Sequence, residues 1–167
     1  MEAERIDTER CILEKLSLDD TAFIYELVNT AGWVKNIGDR NIRSLQDAQN
    51  YVQKIIDDPN INYWTVSLKN THSTIGIVTL IKREHLAHHD IGFAFLPQYT
   101  QNGYAYETTK ALLNEITKGQ VHTHILAITI IDNHNSIRLL EKLGFVIDST
   151  TEVENELLLY YILSVVS

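Results

Sequence analysis

The chain has 167 residues, of which 44% are hydrophobic and 22% charged, with a formal net charge of −8 and a single cysteine. This length suits one domain spanning residues 1–167 with a buried core. The acidic balance argues against a general nucleic-acid-binding protein, and no apolar stretch is typical of a signal peptide or long enough to span a bilayer. We therefore expect a cytoplasmic protein that binds neither nucleic acid nor membrane.

Capping signals and hydrophobic spacing predict the elements of the first half of the chain. Ser17 and Asp20 form a capping-box pattern, and Ser44 and Asp47 repeat it. Apolar residues then recur at helical spacing after each pattern. Pro59 ends the second helix, because proline disfavours the helical region for the residue before it. The predicted elements are a strand over 10–16, a helix from 17 to 32, a loop over 33–43 and a helix from 44 to 58.

Runs of apolar and β-branched residues predict strands in the second half. Gly119 and Gly144 follow helical patterns and are typical of helix C-termini. The predicted strands cover 63–69, 75–82, 90–96, 122–131, 145–149 and 156–165, and the helices cover 104–118 and 135–143. The order of these elements predicts an α+β, or mixed α/β, fold with helices on the faces of a sheet.

The turn over 97–105 joins the apolar strand 90–96 to the helix 104–118. A strand that enters a helix through a glycine-containing turn leaves free backbone N–H groups at the positive end of the helix dipole. Such a turn is suited to bind a phosphate group. An ordinary strand-to-helix connection is the alternative.

Two segments resemble a known family. The first is Pro97-Gln98-Tyr99-Thr100-Gln101-Asn102-Gly103-Tyr104-Ala105, and the second is Asn133-His134-Asn135-Ser136-Ile137-Arg138-Leu139-Leu140-Glu141-Lys142-Leu143-Gly144-Phe145. With them, the chain resembles the GNAT superfamily of acetyl-CoA-dependent N-acetyltransferases over nearly its whole length. Within that superfamily it is most similar to the branch that acetylates N-termini of ribosomal proteins. The resemblance implies a GNAT-like fold, with a central, mostly antiparallel twisted sheet of about seven strands and about four helices.

The resemblance also implies acetyl-CoA as the acyl donor. In this family the turn holds the pyrophosphate, the preceding strand offers backbone groups to the pantetheine arm, and the asparagine of the second segment contacts that arm. Gln101 departs from the pattern, because the family has the first glycine of its turn there; if φ is positive at this position, glutamine costs on the order of 1 kcal/mol. The implied cofactor-binding residues are Phe93, Phe95, Leu96, Gln98, Thr100, Gln101, Asn102, Gly103, Tyr104, Ala105 and Asn133.

Acetyl transfer requires a group that deprotonates the amine and a group that stabilises the departing thiolate. Many members use a tyrosine for the thiolate where this chain has Leu140, and the resemblance to the ribosomal branch implicates Ser136 instead. An ordinary first-turn helix residue is the alternative for Ser136. Asp90 is our first candidate for the base, with a solvated strand-end carboxylate as the alternative. Glu107 or Asp132 could also act, or could simply stabilise a helix start.

The family builds its acceptor-side wall from the segment that corresponds to residues 33–43. Asp39 could attract the acceptor ammonium, and Trp33 could pack on the acceptor's chain. The alternatives are a pairing of Asp39 with a neighbouring arginine and a Trp33 buried in the core. Although His122 and His124 would share one strand face, no cysteine or carboxylate joins them at ligand spacing, and we expect no metal site.

The sequence therefore predicts an N-acetyltransferase that moves an acetyl group from acetyl-CoA to a primary amine by direct attack. The acceptor could be a protein N-terminus. A small amine (polyamine, aminoglycoside or amino acid) is the alternative acceptor, and a noncatalytic acyl-CoA-binding regulator is the alternative class. We expect a monomer or a homodimer.

Overall fold

Eight strands form one sheet in the computed structural model, which describes residues 3–165, in the order β1-β2-β3-β4-β5-β6-β8-β7. Neighbouring strands are antiparallel except β5 and β6, which are parallel. The strands are β1 (Arg5–Asp7), β2 (Cys11–Lys15), β3 (Ile61–Leu68), β4 (Thr74–Ile81), β5 (Asp90–Phe95), β6 (His124–Ile130), β7 (Val146–Val153) and β8 (Glu156–Ser164). The predicted α+β fold with a mostly antiparallel sheet is confirmed, with one strand more than expected.

Five α-helices cover the two faces of this sheet within the described residues. Helices α1 (Thr21–Val28), α2 (Ala31–Asn36) and α3 (Leu45–Asp57) lie on one face, and α4 (Tyr104–Thr117) and α5 (His134–Lys142) lie on the other. The first face buries Ile24, Val52 and Ile77, and the second buries Leu13, Trp64, Leu112 and Leu140. Each helix turns an apolar stripe to the sheet, so both faces of its central strands are removed from water, whereas the edge strand β7 is exposed along its length.

The predicted loop over 33–43 is wrong at its start, because α2 occupies residues 31–36. The side chain of Thr30 caps this helix by accepting a hydrogen bond from the N–H of Trp33 (3.3 Å). Gly32, taken from the sequence as a helix end, lies inside α2 with nothing within 4 Å of a Cβ built on it. The signal for this helix in the sequence is Thr30, a residue type favoured at the N-cap, two positions before Gly32.

Cys11 begins β2 and lies fully buried in the core beneath α4. Burial raises the pKa of its thiol to about 11, chiefly because the charged thiolate is disfavoured away from water. A buried thiol that stays protonated is a core residue without reactivity of its own. No helix within the described residues is both long enough and apolar enough to cross a bilayer.

Candidate active site

The two parallel strands β5 and β6 are joined at one end only. Their register is defined by a single pair, Asp90 with Leu126, and the N–H of Leu126 donates to the carbonyl of His89 (2.9 Å). We call this the closed end of the β5–β6 pair, and the carboxyl end of the two strands the open end. Residues 92–95 of β5 are half-buried, so the open end is accessible from the surface. A strand edge without a neighbour has free hydrogen-bonding groups.

The backbone of β5 directs some of these groups into the split. The N–H of Leu96 donates to the carbonyl of Ile75 on the β4 side (2.9 Å). Because alternate residues of a strand point their N–H and C=O groups to opposite edges, those of Phe93 and Phe95 face away from β4 and towards β6. These are the backbone groups that the family resemblance assigns to the pantetheine arm.

The predicted coenzyme A turn follows at the open end. It contains a short 3-10 turn over Pro97–Tyr99 and then Gln101 and Gly103, both with positive φ (61° and 83°). Gly103 is the N-cap of α4 and supplies no side-chain cap. Among the described residues, the N–H groups from Gln101 to Tyr106 have no hydrogen-bond acceptor. A run of free N–H groups at a helix start fits a pyrophosphate.

Arg10 and Glu107 hold this turn from the side of β2. The Arg10 Nε donates to Glu107 Oε1 (2.8 Å), and the backbone N–H of Arg10 donates to Glu107 Oε2 (2.9 Å). The Arg10 Nη1 donates to the carbonyl of Asn102 (3.0 Å). The hydroxyl of Thr8 also donates to Glu107 Oε2 (2.6 Å), and the guanidinium carbon lies 4.3 Å above the centre of the Tyr104 ring. We call these contacts the Arg10–Glu107 tether.

The tether also sets the protonation of its carboxylate. Burial raises the pKa of Glu107, but hydrogen bonds from Thr8 and Arg10 and the arginine charge outweigh burial, so the pKa lies below its usual range. The sequence predicts for Glu107 a helix-dipole partner or a base. It does not reveal the tether, because Arg10 lies 97 positions away. The carboxylate is engaged by three donors and is poorly placed to take a proton.

The start of α5 brings Asn133 and Ser136 to the end of β6. Asn133 is the N-cap, and its side-chain oxygen accepts from the N–H of Ser136 (3.3 Å). Ser136 is half-buried, and its hydroxyl has no partner among the described residues. Leu140 lies in the core at 1% exposure. The helix ends where Gly144 adopts a φ of 98° and Phe145 N–H donates to the Leu140 carbonyl (3.0 Å).

A cavity of about 380 Å³ lies between the end of α2 and the start of α5. It is lined by Lys35 and Asn36 from α2, by residues 132–135, and by Arg138. Asn133 therefore both caps α5 and faces the cavity. Of the carboxylates weighed as a base, Asp132 lines the cavity, and its side chain has no partner among the residues that the structure describes.

Asp90 does not lie at the open end. It is 4% exposed at the start of β5, and the Arg83 Nε donates to its carboxylate (2.7 Å). The strand has six residues, so the open end is about 17 Å away at a rise of about 3.3 Å per residue. This geometry argues against the predicted role of Asp90 as the base, because a base must come within hydrogen-bond reach of the amine.

The predicted acceptor-binding residues Trp33 and Asp39 do not line the cavity either. Trp33 is 5% exposed and packs in the core with α1 and α3. Asp39 accepts from Arg43 Nη2 (2.6 Å) and from the N–H of Asn41 (2.8 Å). The predicted segment does reach the cavity, but through Lys35 and Asn36, which the sequence reading did not single out.

Four of the seven histidines meet at the closed end of the β5–β6 pair. The ring centroids of His88 and His124 are 4.9 Å apart, and those of His89 and His122 are 4.8 Å apart. Within residues 3–165, no group of three or more histidine, cysteine, aspartate or glutamate side chains is arranged to hold a metal ion.

Comparisons with known proteins agree with this geometry. Residues 10–146 match a family model described as an acetyltransferase (GNAT) domain. The uncharacterized N-acetyltransferase YnaD of Bacillus subtilis is 27% identical over 139 residues, which cover 83% of this chain and 81% of that protein.

Two solved structures share the fold at lower identity. RimL, a ribosomal L7/L12 alpha-N-protein acetyltransferase in complex with coenzyme A, is 14% identical with a TM-score of 0.85 and covers 97% of this chain and 98% of its own. Spermidine N-acetyltransferase from Vibrio cholerae, in complex with coenzyme A and spermine, is 18% identical with a TM-score of 0.81, over 93% of this chain and 95% of its own.

Proposed function

The chain belongs to the GNAT family of acetyltransferases and uses acetyl-CoA as its acyl donor, and we propose that its acceptor is the primary amine of a protein N-terminus. One observation carries the proposal: free backbone groups of β5 and of the α4 turn converge at the open end of the β5–β6 pair, beside a cavity large enough for an acceptor group. A binding slot and a separate acceptor cavity are what transfer between two molecules requires.

Each part of the open end has a role in holding the donor. The free N–H groups of the turn, from Gln101 to Ala105, would bind the pyrophosphate, with Gln98 and Thr100 beside them in the same turn. The edge of β5 at Phe93 and Phe95, with Leu96 beside them, would hold the pantetheine arm, and Asn133 would bind the same arm from β6. Acetyl-CoA supplies a thioester whose carbonyl carbon is open to attack.

The remaining groups move protons. The amine nitrogen forms a bond to the carbonyl carbon, and the carbon–sulfur bond breaks with its electron pair going to sulfur. Asp132, directly or through a water molecule, would take the proton that the amine loses. The hydroxyl of Ser136, at the positive end of α5, would donate a hydrogen bond to the thiolate. Leu140 is buried and has no proton to give.

The choice of acceptor draws on two relatives of the fold. The likeness to a ribosomal-protein alpha-N-acetyltransferase supports a protein N-terminus. A free small amine is the second candidate, because a cavity of about 380 Å³ has room for one and because a spermidine N-acetyltransferase shares the fold.

The test is release of free thiol from acetyl-CoA in the presence of short peptides and small amines. We expect acetyl-CoA to raise the melting temperature and a peptide with a free N-terminus to release thiol, whereas its N-acetylated form should not. Saturable acetyl-CoA binding without turnover across the whole panel would contradict the proposal and favour a regulator. Ser136→Ala should lower kcat roughly 10-fold or more with little change in acetyl-CoA affinity, with Ser149→Ala on the exposed strand β7 as the control. An unchanged kcat would remove Ser136 from the mechanism.

A further inference from the structure

The residues that line the cavity beside the open end carry a net positive charge, whereas the chain as a whole is acidic. The formal charge of the chain is −8. The cavity, however, is lined by Lys35, Arg138 and His134, three asparagines and a single carboxylate, that of Asp132. Cations gathered in a cavity of an acidic protein call for a functional explanation, because an acidic surface serves solubility without them.

The two permanent cations of the cavity are available to a ligand. Of the fourteen lysines and arginines, five have a carboxylate partner within 4.0 Å in the part of the chain that the structure describes: Arg5, Arg10, Arg43, Arg83 and Lys118. Among the residues that the structure describes, Lys35 and Arg138 have none. Arg138 Nη2 instead donates to the side-chain oxygen of Asn135, which fixes the guanidinium at the cavity wall while its charge stays uncompensated.

The cavity is also distinct from the pyrophosphate turn. Lys35 belongs to α2, which packs on the face of the sheet that carries α1 and α3. The turn leads into α4, which packs on the opposite face. The cavity therefore reaches onto the acceptor side of the split, and Asn133 is the one lining residue also proposed to contact the donor.

We propose that this cavity binds a carboxylate of the acceptor, placed close to the reacting amine. Arg138 and Lys35 would bind the anion through charge-assisted hydrogen bonds, with the asparagine amides as further donors. Asp132 repels the anion and attracts the ammonium, so the two groups of one acceptor are oriented. A polyamine lacks the anion and meets two like charges, which disfavours it as the substrate.

This inference rests on the proposed function and narrows its acceptor. The anion could be the side chain of an acidic residue that follows a peptide N-terminus, or the α-carboxylate of a free amino acid. Both have the same chemistry at the cavity. In a peptide the chain continues beyond the cavity, whereas in a free amino acid it does not. The experiment therefore uses both kinds of acceptor to distinguish them.

The experiment compares matched acceptors on the full-length enzyme. One pair is a short peptide with glutamate or glutamine at its second position, and the other is a free amino acid and its amide. We expect kcat/KM to favour the acidic member of at least one pair by about tenfold. Lys35→Gln with Arg138→Gln should remove that preference and leave the KM for acetyl-CoA unchanged. Lys54→Gln, on the exposed surface of α3, is the control and should keep it.

Charge reversal and direct binding complete the test. Lys35→Glu with Arg138→Glu should turn the preference towards a peptide with lysine at its second position. Calorimetric titration of the coenzyme A-loaded enzyme with the same peptides reads the preference without turnover. If amines are acetylated but acidic and neutral acceptors bind and react equally, the anion site is refuted and the acetyltransferase proposal stands. If no amine is acetylated, the proposed acceptor fails, and the calorimetric preference alone decides for or against the anion site.

Discussion

The two ends of the β5–β6 pair differ in how their polar groups are used. At the closed end, Asp90 pairs with Leu126 in the sheet and with Arg83 through its side chain, and two pairs of histidine rings lie in contact. At the open end, the backbone groups of Phe93 and Phe95 and the turn N–H groups have no partner among residues 3–165. One end satisfies its groups within the protein, and the other leaves them for a ligand.

This difference explains how one strand pair can be held rigidly and still bind a ligand through its backbone groups. A parallel pair that continued its ladder would consume the groups that a ligand needs. A pair with no ladder at all would leave two edges free to move. The closed end fixes the start of both strands, and the Arg10–Glu107 tether fixes the turn beyond β5. The free groups are therefore held in place without being consumed.

The largest expected effect is at the open end, from Gly103→Val. A β-branched residue at a φ of 83° costs about 2 kcal/mol or more, and its Cβ would lie 3.2 Å from Arg10 Nη2. If the turn rearranges to relieve this strain, its N–H groups move, and the Kd for coenzyme A should rise roughly 30-fold. Calorimetry measures the affinity. Gly32→Val, where the space is open, is the control; equal affinity in both variants would mean that the turn does not bind the pyrophosphate.

The second effect is at the closed end, from Asp90→Asn. Losing a buried carboxylate that accepts from Arg83 should lower the free energy of unfolding by about 1–2 kcal/mol, discounted because Arg83 is 40% exposed. Urea unfolding measures this loss, and the Kd for coenzyme A should change little. Asp39→Asn, in an exposed pair with Arg43, is the control and should have a smaller effect. A large fall in kcat with unchanged stability would instead restore Asp90 as the base.

The third effect, from Glu107→Gln, is pH-dependent. The pKa of Glu107 is depressed in the folded protein, so its contribution to stability is complete above the ordinary value of 4.5 and is lost as the pH falls through the folded-state pKa. The free energy of unfolding of the variant should be about 1 kcal/mol lower than that of the wild type at pH 7. This difference in unfolding free energy should be smaller at lower pH. Urea unfolding at pH 7 and pH 4 checks this, with Glu152→Gln on the exposed strand β7 as the control. A gap that stays constant with pH would mean that the carboxylate charge does not hold the tether.

The smallest effect is expected from Gln101→Gly. Gln101 adopts a φ of 61°, the left-handed conformation that glycine adopts without strain. The substitution relieves about 1 kcal/mol of strain but gives the unfolded chain more freedom, so the melting temperature should change by a degree or two at most. The Kd for coenzyme A should fall slightly or stay unchanged. A marked loss of affinity would show that the glutamine side chain itself contacts the donor.

Local patterns in the sequence were sufficient for much of the fold. The capping residues Ser17 and Ser44 and the C-terminal cap at Gly144 act on neighbours a few positions away, so their effects are visible in a short window. The same holds for the turn at Gly103 and for the cap at Asn133. From the sequence, the strain at Gln101 could be stated only for the case that its φ is positive. The structure shows that this φ is 61°.

Contacts between distant segments could not be predicted in this way. Nothing near Glu107 points to Arg10, which lies 97 positions away. Lys35 and Arg138 acquire a shared role only because α2 and α5 end beside one cavity. The segment that the resemblance implies for the acceptor wall does reach the cavity, whereas the choice of side chains within it depended on which face of α2 is buried.

The burial of Cys11 has a practical consequence for measuring the reaction. The chain has one cysteine, and its thiol is fully buried with a pKa raised to about 11. Burial keeps this thiol protonated and away from solvent, so it should not react with aromatic disulfide reagents on the timescale of turnover. Colour developed by such a reagent in a running assay then counts released coenzyme A alone, with no enzyme background to subtract.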